Sequence, residues 1–211
     1  MSSEASATSL NLPSQIPCLT IRAMPALAIM AGIKVFENRE RNFRRDYVGP
    51  MAIHVAKAAP SDDEIADCSR AFAEIVADCD DSDPPQFTTA LPPGLVLNPS
   101  TAPYGHIVGF VDIVRMFTFD VKYPETMPPE LNENEHSDVL DRLAWNAGIE
   151  AFGPLCIQLD NPRWIKPVPH KGKLGWDNVS TAGWTLIDEP ANLFLEVDGG
   201  EDAAKAVEID N

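Results

Sequence analysis

The sequence predicts an α+β domain with a barrel-like sheet, and three observations carry that prediction. Several short segments alternate apolar and polar residues with the period of two that marks a half-buried strand, among them residues 34–39 and 51–58. A few stretches between them carry helical spacing or helix-end signals. The two kinds of element follow no strand–helix–strand alternation, which separates the chain from the parallel α/β folds.

Taken in order, residues 1–14 are rich in Ser, Ala and Thr and read as a disordered lead-in. The domain is expected over 15–180, with 78–104 as an inserted connection and 181–211 as an extension that ends in an acidic tail. Pro17–Ile21 reads as a short strand. The run Met24–Ala31 reads as a short helix, with proline near its start and Gly32 just past its end; its Leu27, Met30 and Ala31 should face the core. Strand alternation over 34–39 puts Lys34 on the face of Phe36, and Glu37 on the face of Arg39. Residues 40–48 are rich in Arg and Asn without periodicity and read as a loop. In the strand that follows, Ile53 and Val55 share one face and His54 takes the other. Ser61-Asp62-Asp63-Glu64 has capping-box spacing ahead of Ile65, Cys68, Phe72, Ile75 and Val76, so a helix is expected there. Residues 78–104 are Asp- and Pro-rich. His106–Phe119 reads as a long apolar strand with Gly109 as a candidate bulge. A helix is expected over about 137–146, and strands over 155–159 and 193–197.

With 45% hydrophobic and 23% charged residues in 211, the chain can bury a real core. No stretch approaches the roughly 20 apolar residues of a membrane helix, and the N-terminus lacks the basic-then-apolar pattern of a secretory signal. The expectation is a cytoplasmic protein without a membrane partner. Cys18, Cys68, Cys79 and Cys156 form no C-x-x-C pair, which argues against zinc and against a dense disulfide framework. No P-loop, dinucleotide glycine fingerprint, Ser/His/Asp order or metal-ligand spacing is present, so no metal or cofactor is called for.

The net charge of −16 opposes binding to long stretches of phosphate backbone, but the charge is unevenly spread. From Thr20 to Pro60 there are seven basic residues against three acidic ones, and Asn161–Trp176 holds four basic residues and no acid. Carboxylates crowd Ser61–Asp83, with nine, and Trp184–Asn211, with eight. Two basic islands thus stand in an acidic chain.

The first island contains Gly32-Ile33-Lys34-Val35-Phe36-Glu37-Asn38-Arg39, of the form G-x-K-x-x-E-x-R, directly behind the short helix. Next come Tyr47-x-Gly49-Pro50 and a strand ending His54-x-Ala56-Lys57. Gly105-x-Ile107-Val108-Gly109-x-Val111-Asp112 follows, and the last pieces are Asn161-Pro162-Arg163 and Pro167-Val168-Pro169-His170-Lys171-Gly172-Lys173-Leu174-Gly175. In this order, over about residues 17–175, they resemble the ASCH domain family of the PUA-like superfamily. Where many members carry Gln-Pro-Trp at the helix start, this chain has Ala23-Met24-Pro25. The resemblance implies a PUA-like β-barrel and binding of RNA or a modified nucleoside. In one branch it implies deacetylation of an acetylated cytidine, where the lysine matching Lys34 acts with a threonine and a glutamate, and in others cleavage of RNA; here the position three residues on is Glu37.

In physical terms, Lys34 beside apolar walls suits a base and Glu37 a proton carrier, the two catalytic candidates. The plainer reading of the pair is an ion-pair network that fixes the strand. Arg22, Arg39, Arg41, Tyr47, His54, Lys57, Lys171 and Lys173 are the ligand-binding candidates. The arginines, with Arg44 and Arg45, suit phosphate, and Tyr47 and Phe43 suit stacking on a base. Gly172 between two lysines would let a phosphate approach the backbone, or simply make a turn. A further reading is an adaptor that holds a protein partner through the acidic C-terminus.

Overall fold

The computed structural model of the chain describes residues 11–39, 46–66, 95–118, 155–173 and 175–196. Their elements are β1 (Gln15–Ile21), α1 (Ala23–Met30), β2 (Phe36–Arg39), β3 (Gly49–Val55), β4 (Leu95–Leu97), a 3-10 turn (Pro99–Thr101), β5 (His106–Thr118), β6 (Leu155–Pro169), β7 (Trp176–Ser180) and β8 (Phe194–Glu196). The result is an α+β arrangement around a mixed six-stranded sheet of order β2-β6-β5-β3-β1-β7, beside a two-stranded ribbon of β4 and β8. No helix of the described residues is long and apolar enough to cross a membrane.

All pairs in the large sheet are antiparallel except β1 with β3, which run parallel with Thr20 opposite His54. A parallel pair needs a crossover, and residues 22–48, carrying α1 and β2, supply it. In sheet order β2 and β1 stand four strand spacings apart, about 19 Å if the sheet were flat. The Arg39 guanidinium of β2 nevertheless donates to the Thr20 carbonyl of β1 at 3.3 Å. The sheet therefore curls steeply. No backbone pairing of its edge strands β2 and β7 seals it into a barrel among the described residues.

One face carries Leu19, Ile21, Met51, Ile53, Val55, Val111, Ile113 and Ile157, packed on α1. The other carries Ile16, Cys18, Ala52, Phe110 and Ile165. His54 lies opposite Ile53 and Val55 as the strand period requires. In α1 every residue from Ala23 to Met30 is buried, where one core-facing stripe was expected. The reason is composition: the helix contains no charged or polar residue to face water. Gly32, at φ +75°, turns the chain out of the helix, and Lys34 N–H then bonds back to Ala28.

Three strand expectations shift, and the bulge expected at Gly109 is present. Lys34 precedes β2 and so does not share a strand face with Phe36. β6 runs on through the second basic island to Pro169, past Asn161 at φ +53°; three prolines and an asparagine in the left-handed region hid this from pattern reading. Gly109 sits at a register shift of β5, where a Cβ would collide with the Arg163 backbone. Within the expected connection, Leu95–Leu97 forms a strand with β8, and Asn98 caps the turn behind it. The capping box is made: Ser61 N–H donates to Glu64 at 2.8 Å, Glu64 N–H to Ser61 at 3.2 Å, and residues 62–66 are helical. The remainder of that helix, the helix expected at 137–146, the lead-in over 1–10 and the acidic tail over 197–211 lie outside the described residues.

Candidate functional site

Among the described residues, cavities open at two places on the curled sheet. The larger, ≈ 830 Å³, is lined by the end of α1, by β5 and β6, and by Leu186, Ile187, Asp188 and Glu189. The smaller, ≈ 420 Å³, is lined by Thr20, Arg39, His54, Ala56, Lys57, Lys171, Gly172, Lys173 and Gly175. It lies where the parallel strands β1 and β3 end, under the segment that joins β6 to β7. Five of the eight ligand-binding candidates meet there, drawn from three separate stretches of sequence.

The floor is built first. Thr20 and His54 are register partners, so the Thr20 hydroxyl reaches Nδ1 of His54 at 3.1 Å. Nε2 of His54 faces the carbonyl of His170 at 3.1 Å, which can only accept. That fixes the tautomer: Nε2 carries the proton and donates to His170, and Nδ1 accepts from Thr20. Burial pushes the His54 imidazole below its ordinary pKa; the neighbouring His170 and His106 rings push the same way, against hydrogen bonds to the carbonyls of His170 and Gly105. His54 is thus a neutral, buried strut that ties the joining segment to the sheet.

Gly172 explains how that segment lies so close. A Cβ built on it would stand 2.6 Å from Nδ1 of His54 and 2.7 Å from the Thr20 hydroxyl. Its missing side chain is used against the imidazole, not against a ligand. The two lysines that flank it are exposed and border the pocket. Lys173 donates to Asp177 at 3.0 Å, and this bond holds the Asp177 carboxyl below its ordinary pKa. Lys57 is exposed and packs its stem over Gly105, whose φ of +73° suits glycine.

Arg39 forms the opposite wall. Its guanidinium pairs with Glu37 at 2.9 Å and also donates to Thr20 O. Glu37 in turn lies 3.9 Å from the Lys34 ammonium. The Lys34 side chain is wholly enclosed, 0% exposed, while Glu37 retains 8%. Placed ahead of β2 instead of within it, Lys34 reaches Glu37 across three residues. The catalytic candidates therefore form a buried Lys34–Glu37–Arg39 chain of charge between the two cavities: Lys34 borders the larger, and only Arg39 faces the smaller.

The remaining candidates stand elsewhere. Arg22 pairs with Glu64 outside the pocket. Tyr47 donates to the Pro50 carbonyl at 2.7 Å and meets Trp176 edge to face, so its ring supports the β3 entry. Arg41, Phe43, Arg44 and Arg45 lie outside the described residues. Sequence reading passed over Thr20 and Asp177. Thr20 becomes visible once β1 is paired with β3, whereas Asp177 stands four residues from Lys173 and could have been paired with it from spacing alone.

Cys18 and Cys156 are free and buried, and burial pushes both thiols up to about 12. Cys156 accepts from the Asn38 amide at 3.2 Å. Among the described residues no three metal-ligating side chains group to hold an ion.

With the geometry in place, the chain can be set beside known proteins. It is similar to ASCH from Zymomonas mobilis. That likeness has 14% identity over 73% of each chain at a TM-score of 0.35. Two mutant structures of the same protein match at 13% identity, with TM-scores of 0.35 and 0.34 over 73% of this chain and 75% and 73% of theirs. No family model and no curated protein matches the chain.

Proposed function

We propose that the protein is an ASCH-type domain that binds RNA or a modified nucleoside in the smaller, cationic pocket. The observation that carries the reading is the convergence of Arg39, Lys57, Lys171 and Lys173 on one cavity in a chain of net charge −16. Four cations against the two carboxylates that hold some of them, Glu37 and Asp177, leave the cavity positive, whereas the chain as a whole repels anions. A volume of ≈ 420 Å³ suits a single nucleoside-sized group. The G-x-K-x-x-E-x-R motif supports the same reading, since its arginine forms the pocket wall.

Deacetylation of an N-acylated nucleoside is the second reading, favoured by the Lys34–Glu37 pair directly behind that wall. It requires Lys34 to reach the substrate from a side chain that is fully enclosed, so binding stands first. The protein is titrated into a labelled single-stranded oligoribonucleotide and followed by anisotropy at two salt concentrations. Saturable binding that weakens with salt, and that is lost in Lys57→Ala/Lys171→Ala, supports the reading. Absence of binding to both the oligonucleotide and cytidine nucleosides refutes it. Release of acetate from N4-acetylcytidine by wild type but not by Lys34→Ala would move the hydrolase reading to first place.

A further inference from the structure

We infer that the group held in the cationic pocket is a phosphomonoester, the terminal phosphate of an RNA or of a single nucleotide. This rests on the binding reading above and narrows it. Among the described lysines, Lys34 faces Glu37 and Lys173 holds Asp177. Lys57, Lys166 and Lys171 pair with no carboxylate among the described residues, and two of these three line the one pocket.

The charges can then be matched. A phosphomonoester carries about −1.5 to −2 near neutral pH and offers three acceptor oxygens, whereas an internal diester linkage carries a single charge. Two ammonium groups without a carboxylate suit the dianion. The peptide N–H groups of Lys171, Gly172 and Lys173, three residues of the same segment, have no acceptor within the described residues. An internal linkage would also lead its flanking phosphates out of the pocket on both sides, across a protein of net charge −16. A chain end leads them out on one side only. A free nucleotide leads out none.

The test compares pentacytidylate bearing a 5′-phosphate, a 3′-phosphate, or hydroxyls at both ends, and CMP beside cytidine. Binding is measured by calorimetry on the full chain at neutral pH and fixed salt. The expected result is a gain of at least about tenfold in affinity for one phosphorylated end over the hydroxyl-ended oligomer, and for CMP over cytidine. Whichever end gains identifies the polarity. Lys57→Ala/Lys171→Ala, two exposed positions whose replacement leaves the circular dichroism spectrum unchanged, should abolish the gain. Equal affinity for phosphorylated and hydroxyl-ended ligands overturns the inference and leaves RNA binding standing. Failure of every ligand to bind overturns both.

Discussion

The larger cavity has about twice the volume of the smaller, ≈ 830 against ≈ 420 Å³, yet the cations belong to the smaller. Around the larger, Lys34 is taken up by Glu37 and Arg163 by Asp112, while Asp160, Asp188 and Glu189 face no cation among the described residues. Burial pushes the Glu189 carboxyl above its ordinary pKa, as expected of an acid without a cation beside it. Val114, Leu186 and Ile187 in the same lining are exposed apolar groups. Volume follows from how elements happen to splay. The sign of the field depends on which charged groups the fold leaves without an opposite, and by that measure the two cavities are opposed.

Glu37 is where this contrast is most easily broken, because it joins Lys34, at the border of the larger cavity, to Arg39 in the wall of the smaller. Replacing it with glutamine withdraws the carboxylate from a buried cation and should cost roughly 3 kcal/mol of unfolding free energy. Asp177→Asn, which releases a lysine that is 67% exposed, should cost under about 1 kcal/mol. Urea denaturation of both variants tests the ranking, and similar midpoints would mean that the buried chain of charge is not structural.

Glycines of the two cavities give the next contrast. Gly172→Ala drives a methyl into the His54 ring and Thr20 and is expected to cost about 2 kcal/mol by overpacking. Gly32→Ala in the larger cavity meets nothing nearer than Pro162 at 3.9 Å and should cost about 1 kcal/mol, from its positive φ alone. Thermal melts separate the two.

Affinity offers a third. Lys57→Ala/Lys171→Ala should lose at least about 1.4 kcal/mol, or tenfold, in RNA binding. Asp188→Asn/Glu189→Gln in the larger cavity should change affinity by less than about twofold, and equal losses from both pairs would erase the difference between the cavities.

The smallest effect belongs to pH. Because the folded pKa of His54 lies below its unfolded value, neutral His54 stabilises the fold above the unfolded pKa of 6.5, and that contribution fades as pH falls through the folded value. Its slope cannot exceed about 1.4 kcal/mol per pH unit. Wild type should therefore lose more stability than His54→Asn between neutral pH and mildly acidic buffer, as read from urea midpoints; parallel profiles would show that the imidazole is not buried neutral.

Much of the site was legible in the sequence because charge and local period are one-dimensional properties. The capping box at Ser61 and the facing of His54 depend on neighbours within four residues, and the basic islands on charge counted along the chain. What escaped depends on pairing between distant segments. Thr20 matters only because β1 lies parallel to β3, and β6 could be read past Leu159 only by knowing that β5 accompanies it to Pro169. Lys34 was assigned to a strand from its alternation. The return of its N–H to Ala28 holds it ahead of the strand instead, and burial then turns a candidate base into part of an internal ion-pair chain.

The His54–His170 hydrogen bond joins residues 116 positions apart. The floor it completes needs β1, β3 and the end of β6 all in place. The pocket is thus absent from partly folded forms of the chain, and any ligand that fits it recognises the completed fold alone. At a hundredfold excess over its Kd such a ligand would add about 2.7 kcal/mol to stability, which makes occupancy of the site a gauge of how much of the protein is fully assembled.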